Sequence, residues 1–148
     1  MTAISVRNLN AWYDKNQALF DIALDVPVRQ ITALMGPSGC GKSTFVRCLN
    51  RMHEETPGAR VTGEVLVNNV DLYARHVSAQ YVRRHIGMVF QRPNPLPMRS
   101  IFENVAVGLR LNGLAQGKEL RKRVETSLQR VFLWDEVKDR LNESAGLL

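Results

Sequence analysis

Apolar residues in the first part of the chain recur mostly at short, strand-like spacings, which are typical of half-buried strands. A first group is followed by a stricter alternation: Ile4, Val6 and Leu9, then Phe20, Ile22, Leu24 and Val26. Polar residues 14–16 lie between the two groups and favour a turn. The pattern therefore predicts an antiparallel hairpin at the start of the chain.

The next segments alternate between short apolar runs and helical spacing. Residues 31–35 form an apolar run that ends at Gly36-Pro37, as a buried central strand does when it enters a turn. Residues 44–52 carry apolar positions three and four apart and predict a helix. Beyond them we predict a strand over 63–71, a brief helix over 77–84 and a second buried strand over 86–90.

The character of the sequence changes after Gln91. Prolines at 93, 95 and 97 interrupt regular structure, and from Ser100 onward the spacing is helical. Ser100 and Glu103 form a capping-box pattern. One apolar stripe marks a later helix: Leu120, Val124, Leu128 and Val131. We predict two domains, residues 1–92 with the strands and residues 93–148 as a helical domain.

Composition narrows the class of protein. The chain has 148 residues, 45% of them hydrophobic, enough for an ordinary globular core. No apolar run approaches the roughly 20 residues of a membrane-spanning helix, and the N-terminus lacks a secretory signal pattern. Two cysteines without metal-ligand spacing fit a cytosolic protein. The net charge of +6 is scattered, and residues 118–123 predict a solvated helix face, with a nucleic-acid or lipid-headgroup patch as the alternative.

The most specific motif follows the first predicted buried strand. It has the P-loop pattern of a glycine, four residues, then Gly-Lys-Ser: Gly36, Pro37, Ser38, Gly39, Cys40, Gly41, Lys42 and Ser43. Glycines let the backbone curl so that amide groups point at phosphate oxygens. A strand before the motif and a helix after it are the context that this chemistry requires. Cys40 is interpreted as a small spacer in the loop.

Each remaining part of the motif has a predicted role in holding ATP and Mg²⁺. Lys42 reaches the β- and γ-phosphates as a mobile charge, and the Ser43 hydroxyl joins the Mg²⁺ shell. Thr44 helps to hold phosphate. The sequence thus predicts a nucleoside triphosphate site at residues 36–44.

The segment Gly-Pro-Ser-Gly-Cys-Gly-Lys-Ser-Thr at 36–44 resembles the ATPases of ABC transporters. This resemblance implies an α/β P-loop NTPase core with an N-terminal antiparallel β subdomain and the start of a helical subdomain. It also implies that Tyr13 stacks on adenine, as an aromatic ring can. Trp12 competes for that role, because neighbours in a strand face opposite ways.

Gln91 resembles the glutamine with which this family senses Mg²⁺ and the attacking water. A neutral amide suits both tasks, since it offers an oxygen to the metal and a hydrogen bond to water. Together with Lys42, Gln91 is the catalytic residue that the resemblance implies for this chain.

The sequence around Gln91 is similar to the phosphate-import ATPases in particular, through Gln-Arg-Pro-Asn-Pro-Leu-Pro-Met at 91–98 and Glu-Asn-Val at 103–105. This similarity implies an ATPase subunit that couples hydrolysis to phosphate uptake. It implies docking of permease subunits on the region after Gln91, a second ATPase subunit as partner, and a peripheral position at the cytoplasmic face of the inner membrane. An ABC ATPase for another anion or an amino acid is the alternative cargo assignment.

Three landmarks of the family do not occur in these residues: the Leu-Ser-Gly-Gly-Gln signature, the catalytic glutamate and the switch histidine. Residues 131–136 imitate a strand ending in Asp-Glu, but they continue the preceding helical stripe and come too early in the family's order. His53, His76 and His85 are predicted to lie at the surface. We therefore expect an incomplete fold with exposed apolar edges, and no appreciable ATP hydrolysis by these residues alone.

Three other functions remain open at this point. A nucleotide-binding module without turnover would use the same loop. A P-loop kinase would need an acceptor pocket and an arginine-rich lid, and the proline-rich segment argues against it. Nucleic-acid binding would rest on charge alone.

Overall fold

A computed structural model describes residues 1–147 of the chain. It divides into two compact units, Met1–Val89 and a second that begins at Phe90. The domain boundary that the sequence predicts, between residues 92 and 93, lies three residues beyond this division and stays a prediction. Within the described residues, no helix has the length and apolarity needed to traverse a bilayer.

The first unit is built on one antiparallel sheet with the strand order β2-β1-β3-β4. Its strands run over β1 Thr2–Tyr13, β2 Asn16–Pro27, β3 Ala59–Val67 and β4 Val70–Asp71. Two helices accompany the sheet, α1 Lys42–Leu49 and α2 Ala79–His85, with a 3₁₀ turn at His53–Glu55. The predicted hairpin is confirmed, since β1 and β2 pair antiparallel across the turn at residues 14–15.

One face of the sheet is buried under α1. Val6, Leu9 and Val65 are fully buried on the sheet, and Phe45 and Cys48 of α1 pack into the same core. Each buried aliphatic side chain contributes about 1.5–3 kcal/mol relative to an exposed one. This packing fixes α1, and therefore the segment before it, against the end of the hairpin.

A β-bulge in β1 decides which residues face that core. Val6 and Leu9 are three positions apart yet both buried, so the period of two is interrupted between them. Asn8 has φ 48° and Gly63 on β3 has φ 99° at this point. The bulge brings the C-terminal end of β1, with Ala11 and Tyr13, onto the face that meets α1.

The two predicted buried strands are not formed. Residues 31–35 and 86–90 have no strand structure, and Ile31, Met35 and Val89 are more than nine-tenths exposed. A strand needs a neighbour to pair its backbone groups, and a parallel strand takes that neighbour from a distant part of the chain. Within residues 1–147, neither segment joins the sheet. The strand predicted over 63–71 is instead a hairpin of β3 and β4.

The second unit consists of helices α3 Ile101–Leu111, α4 Gly117–Arg130 and α5 Trp134–Val137, with a final 3₁₀ turn. Ser100 caps α3, its hydroxyl accepting from the Glu103 amide at 3.2 Å, as predicted. The Glu103 carboxylate pairs with Arg110 and does not complete the capping box. Leu120, Val124 and Leu128 are buried, which confirms most of the predicted stripe.

The prediction that Val131 continues the buried apolar stripe of this helix is wrong. Helix α4 stops at Arg130, Val131 is 59% exposed, and Phe132 adopts φ 60°. The amides of Phe132 and Leu133 return to carbonyls of the last helical turn, which is how a left-handed residue ends a helix. Residues 134–137 form α5 and not a strand. This confirms the prediction that the Asp-Glu pair at 135–136 does not end a catalytic strand.

Candidate functional site

The segment between β2 and α1 carries the predicted phosphate loop. Gly39 and Gly41 have φ 81° and 94°, in the left-handed region that favours glycine. A Cβ on Gly41 would lie 2.7 Å from Leu19 Cδ2 and 3.0 Å from the Ala18 carbonyl oxygen. Only glycine therefore allows the loop to approach β2 this closely.

Lys42 folds back over the loop. Its Nζ donates to the carbonyl oxygens of Gly36 at 2.8 Å and Pro37 at 2.7 Å, and it lies 3.5 Å from Cys40 Sγ. The positively charged ammonium of Lys42 therefore contacts the backbone of the motif itself. Because the partners are neutral carbonyls, a phosphate oxygen, which carries charge, would form stronger hydrogen bonds with the same ammonium.

The first turn of α1 supplies further groups for an anion. Gly41 is its N-cap and offers no side chain, so the first amides have no acceptor within the helix. Aligned peptide dipoles also make this end of the helix electropositive. Ser43 is exposed beside these amides, which places a hydroxyl ligand for a cation next to the phosphate-binding groups. The residues present therefore fit both a phosphate chain and Mg²⁺.

Thr44 is placed differently from its neighbours. It is only 8% exposed, and its Oγ1 lies 3.3 Å from the Tyr13 hydroxyl. This contact joins the phosphate loop to the end of β1. It also puts an aromatic ring beside the loop, where a base attached to bound phosphates would need a stacking partner.

Trp12 is less suitable than Tyr13 for contacting a base. The guanidinium of Arg60 lies 4.2 Å from the centroid of the Trp12 ring, so a cation–π contact already covers it. Trp12 also follows Ala11, whose side chain is buried on the α1 face, and must point to the other side of the sheet. Because side chains alternate along β1, Tyr13 and not Trp12 faces the phosphate loop. The role of Tyr13 as the residue that stacks on the base stays a prediction.

One neighbour of the site was not predicted. His53 is fully buried, which makes the expectation of a surface position wrong, whereas His76 and His85 are exposed as predicted. Its ring lies against Tyr13, with centroids 4.6 Å apart. A single histidine in a polar loop gives no periodic signal, so nothing in the sequence could have indicated its burial.

Gln91 belongs to the second unit and is exposed in irregular chain. No helix or strand includes it or the proline-rich residues that follow. Asn104 of α3 holds the far end of this segment, bonding both the amide and the carbonyl of Leu96. The role of Gln91 in sensing Mg²⁺ and water stays a prediction from the resemblance.

The two thiols of the first unit differ sharply. Cys48 is fully buried on the face of α1 that packs against the sheet, and burial raises its pKa to about 12, so its reactive thiolate is scarce at neutral pH. Cys40 is exposed in the loop beside Lys42. The thiol of Cys40 is therefore the one that a reagent in solution can reach.

We expect iodoacetamide to alkylate Cys40 at least ~100-fold faster than Cys48 in the folded chain at pH 7, because burial keeps Cys48 as the thiol. Saturating tripolyphosphate should slow the labelling of Cys40, since a phosphate chain in the loop would cover the sulfur. Peptide mass spectrometry over time measures both rates. Equal rates for the two cysteines in folded protein, or no effect of tripolyphosphate, would contradict this assignment.

The chain matches a family model and several known proteins. A family model described as ABC transporter matches residues 19–148. The chain is 54% identical to the phosphate import ATP-binding protein PstB of Koribacter versatilis (strain Ellin345) over 143 residues, covering 97% of this chain and 56% of that protein. The PstB of Streptomyces coelicolor is 54% identical over 140 residues, covering 95% and 54%. The chain thus spans about half the length of the curated relatives it matches.

A solved structure is similar in fold. It is a bacterial Atm1-family ABC exporter with ATP bound, which superposes with a TM-score of 0.77 at 23% sequence identity. The match covers 98% of this chain and 24% of the exporter chain. At this identity the likeness concerns the fold alone.

Proposed function

Because this chain belongs to the ABC transporter family, we propose that it forms the ATP-binding part of an ATPase that drives the import of inorganic phosphate. The observation that carries the proposal is the loop at residues 36–44. There a lysine ammonium, the free amides of a helix N-terminus and an exposed serine hydroxyl converge beside an aromatic ring. These groups match the triphosphate, the cation and the base of Mg²⁺-ATP.

The chain's own residues would divide the work on the nucleotide. Lys42 exchanges its loop carbonyls for oxygens of the β- and γ-phosphates, and the amides at the start of α1 hold the same chain of phosphates. Ser43 would hold Mg²⁺, which neutralises charge on the phosphates when bound. Tyr13 receives the base, and its hydroxyl bond to Thr44 keeps the ring next to the phosphate loop.

Phosphate as the cargo comes from the relatives, which are named as phosphate import proteins at 52–54% identity. By the same similarity we propose that permease subunits dock on the region after Gln91, that a second ATPase subunit pairs with this one, and that the assembly works at the cytoplasmic face of the inner membrane. No nucleic acid is part of this function.

The 148 residues taken alone have a narrower proposed activity. They contain no Leu-Ser-Gly-Gly-Gln motif, and the resemblance implies that hydrolysis also needs the signature of a second subunit over the γ-phosphate. We therefore propose that this polypeptide by itself binds ATP without appreciable hydrolysis. For this reason, a nucleotide-binding module without turnover remains the second candidate function.

The cargo is tested in a chimera. Residues 1–148 would replace the matching residues of the Streptomyces coelicolor relative, in cells that lack their own phosphate import ATP-binding protein. We expect labelled phosphate uptake to return, because the chimera regains both the nucleotide site and the surfaces that follow it. The same chimera with Lys42→Ala serves as the control and should take up no more than the deletion strain.

Two outcomes of the chimera would count against the proposal. A chimera that is produced and binds ATP but restores no phosphate uptake would contradict phosphate as the cargo. Uptake that is equal in the Lys42→Ala chimera would contradict the role of the loop.

A further inference from the structure

His53 is a buried polar residue at the edge of the nucleotide site that the proposed mechanism does not use. It begins the 3₁₀ turn that follows α1, and its side chain is fully buried. Histidine is only intermediate in its tendency to be buried, so a complete burial calls for partners. The partners of His53 lie on the last two residues of β1.

The first partner is the backbone of Trp12. His53 Nε2 lies 2.9 Å from the Trp12 carbonyl oxygen. A carbonyl can only accept, so Nε2 carries the hydrogen and donates it. The other ring nitrogen, Nδ1, is buried and has no hydrogen-bond partner in the described chain. An apolar side chain would fill this space without leaving a nitrogen unpaired, so packing alone does not account for a histidine here.

The second partner is the ring of Tyr13. The two ring centroids are 4.6 Å apart and the planes meet at 72°, an edge-to-face arrangement that aromatic pairs prefer. The Tyr13 hydroxyl is held separately by Thr44 Oγ1 at 3.3 Å. The ring is thus fixed at both ends, by His53 at its side and by the phosphate loop at its hydroxyl, while it remains only half-buried.

We propose that His53 is a positioning residue that holds the Tyr13 ring in the orientation needed to stack on the base of a bound nucleotide. It does so by fixing the backbone at Trp12 and the side chain at Tyr13 together. A ring that is already oriented loses less conformational freedom on binding, which strengthens the base contact without touching the phosphates. This inference rests on the proposed nucleotide site.

The proposal separates two ligands that share a phosphate chain. Mg²⁺-ATP uses both the loop and Tyr13, whereas Mg²⁺-tripolyphosphate uses the loop alone. In His53→Ala we expect the dissociation constant for ATP to rise by about tenfold, the scale of one aromatic pair. The constant for tripolyphosphate should change by less than about twofold, because Lys42 and α1 are untouched.

Two further variants identify which contact matters. His53→Gln keeps an N–H donor near the Trp12 carbonyl but removes the aromatic ring that packs against Tyr13, and we expect it to weaken ATP binding nearly as much as His53→Ala. The matched control is His85→Ala. His85 also lies against a tyrosine, with centroids 4.3 Å apart from Tyr81, but it is exposed. Its loss should leave the affinity for both ligands unchanged.

A measurement on the unaltered 148-residue chain covers the case in which the His53 variants do not fold. In NMR spectra, the ring signals of His53 should shift when Mg²⁺-ATP is added and stay in place when Mg²⁺-tripolyphosphate is added. Shifts of equal size with both ligands, or none with either while both bind, would overturn the proposal.

The outcomes also distinguish this inference from the function on which it rests. If the unaltered chain binds neither ligand, the nucleotide site itself is wrong. If it binds both, and the His53 variants lose affinity for both equally, the site stands and His53 has a structural role only. If ATP alone is weakened, the positioning role is supported.

Discussion

Lys42→Ala should raise the dissociation constant of the chain for Mg²⁺-tripolyphosphate and Mg²⁺-ATP by about 100-fold. The ammonium is the only full charge in the motif, and hydrogen bonds to charged groups contribute about 1.5–3 kcal/mol each. Loss of two such bonds amounts to roughly two orders of magnitude in affinity. Isothermal titration calorimetry measures the change for each ligand.

The control for this prediction is Lys15→Ala. Lys15 lies in the turn between β1 and β2, is exposed, and carries the same charge. Its removal changes the net charge of the unit equally and should leave the affinity within about twofold, because exposed charges interact weakly in water. If both variants weakened binding to the same extent, general electrostatic attraction would explain the data and the specific role of Lys42 would be refuted.

Gly63→Ala should lower the free energy of unfolding of the first unit by about 3 kcal/mol, the upper end of the cost of one strained backbone position. Gly63 has φ 99°, and a Cβ there would lie 2.3 Å from the carbonyl oxygen of Asn8. The atom that it meets belongs to the backbone and cannot rotate away. Urea denaturation followed by circular dichroism measures the loss.

The same substitution should also disturb the nucleotide site. The bulge at Asn8 and Gly63 sets the faces of the following residues, so that Leu9 is buried and Tyr13 meets Thr44. If the strand regained a regular pleat, the side chains beyond the bulge would exchange faces. We therefore expect folded Gly63→Ala protein to lose affinity for ATP relative to tripolyphosphate.

Gly39→Ala is a control that distinguishes the cost of a left-handed backbone from the cost of a clash between the new Cβ and a neighbouring atom. Gly39 also has a left-handed φ, 81°, but a Cβ there would meet nothing within 4 Å. We expect it to cost only about 1 kcal/mol of stability, the usual cost of a left-handed residue with a side chain. Equal losses of stability in Gly39→Ala and Gly63→Ala would show that the clash with the Asn8 backbone adds nothing to the cost of a side chain at the bulge.

Much of the fold could be predicted because its signals are local. The alternation from Phe20 to Val26, the turn at residues 14–16 and the serine at position 100 each specify structure through near neighbours. The phosphate loop is local in the same sense, since one continuous segment supplies its amides, lysine and hydroxyl. The hairpin with its turn and the serine cap are confirmed as elements of structure, whereas the nucleotide-binding role of the loop stays a prediction.

The parts that could not be predicted depend on distant neighbours. The apolar runs at 31–35 and 86–90 indicate burial, but no sequence pattern names the strand that would pair with each. Gly63 within a strand could have suggested a bulge, since glycine in a strand often marks one. The burial of His53 had no such signal, because it follows from the way α1 returns the chain to the end of β1.

The most direct test of the account is a calorimetric titration of the purified, monodisperse 148-residue chain with Mg²⁺-ATP, repeated in the presence of excess tripolyphosphate. We predict saturable binding of one ATP per chain that tripolyphosphate displaces, because residues 36–44 hold the phosphates. A chain that is folded by circular dichroism and binds no ATP at millimolar concentration, or whose ATP binding is indifferent to tripolyphosphate, would contradict the assignment of this loop as the nucleotide site.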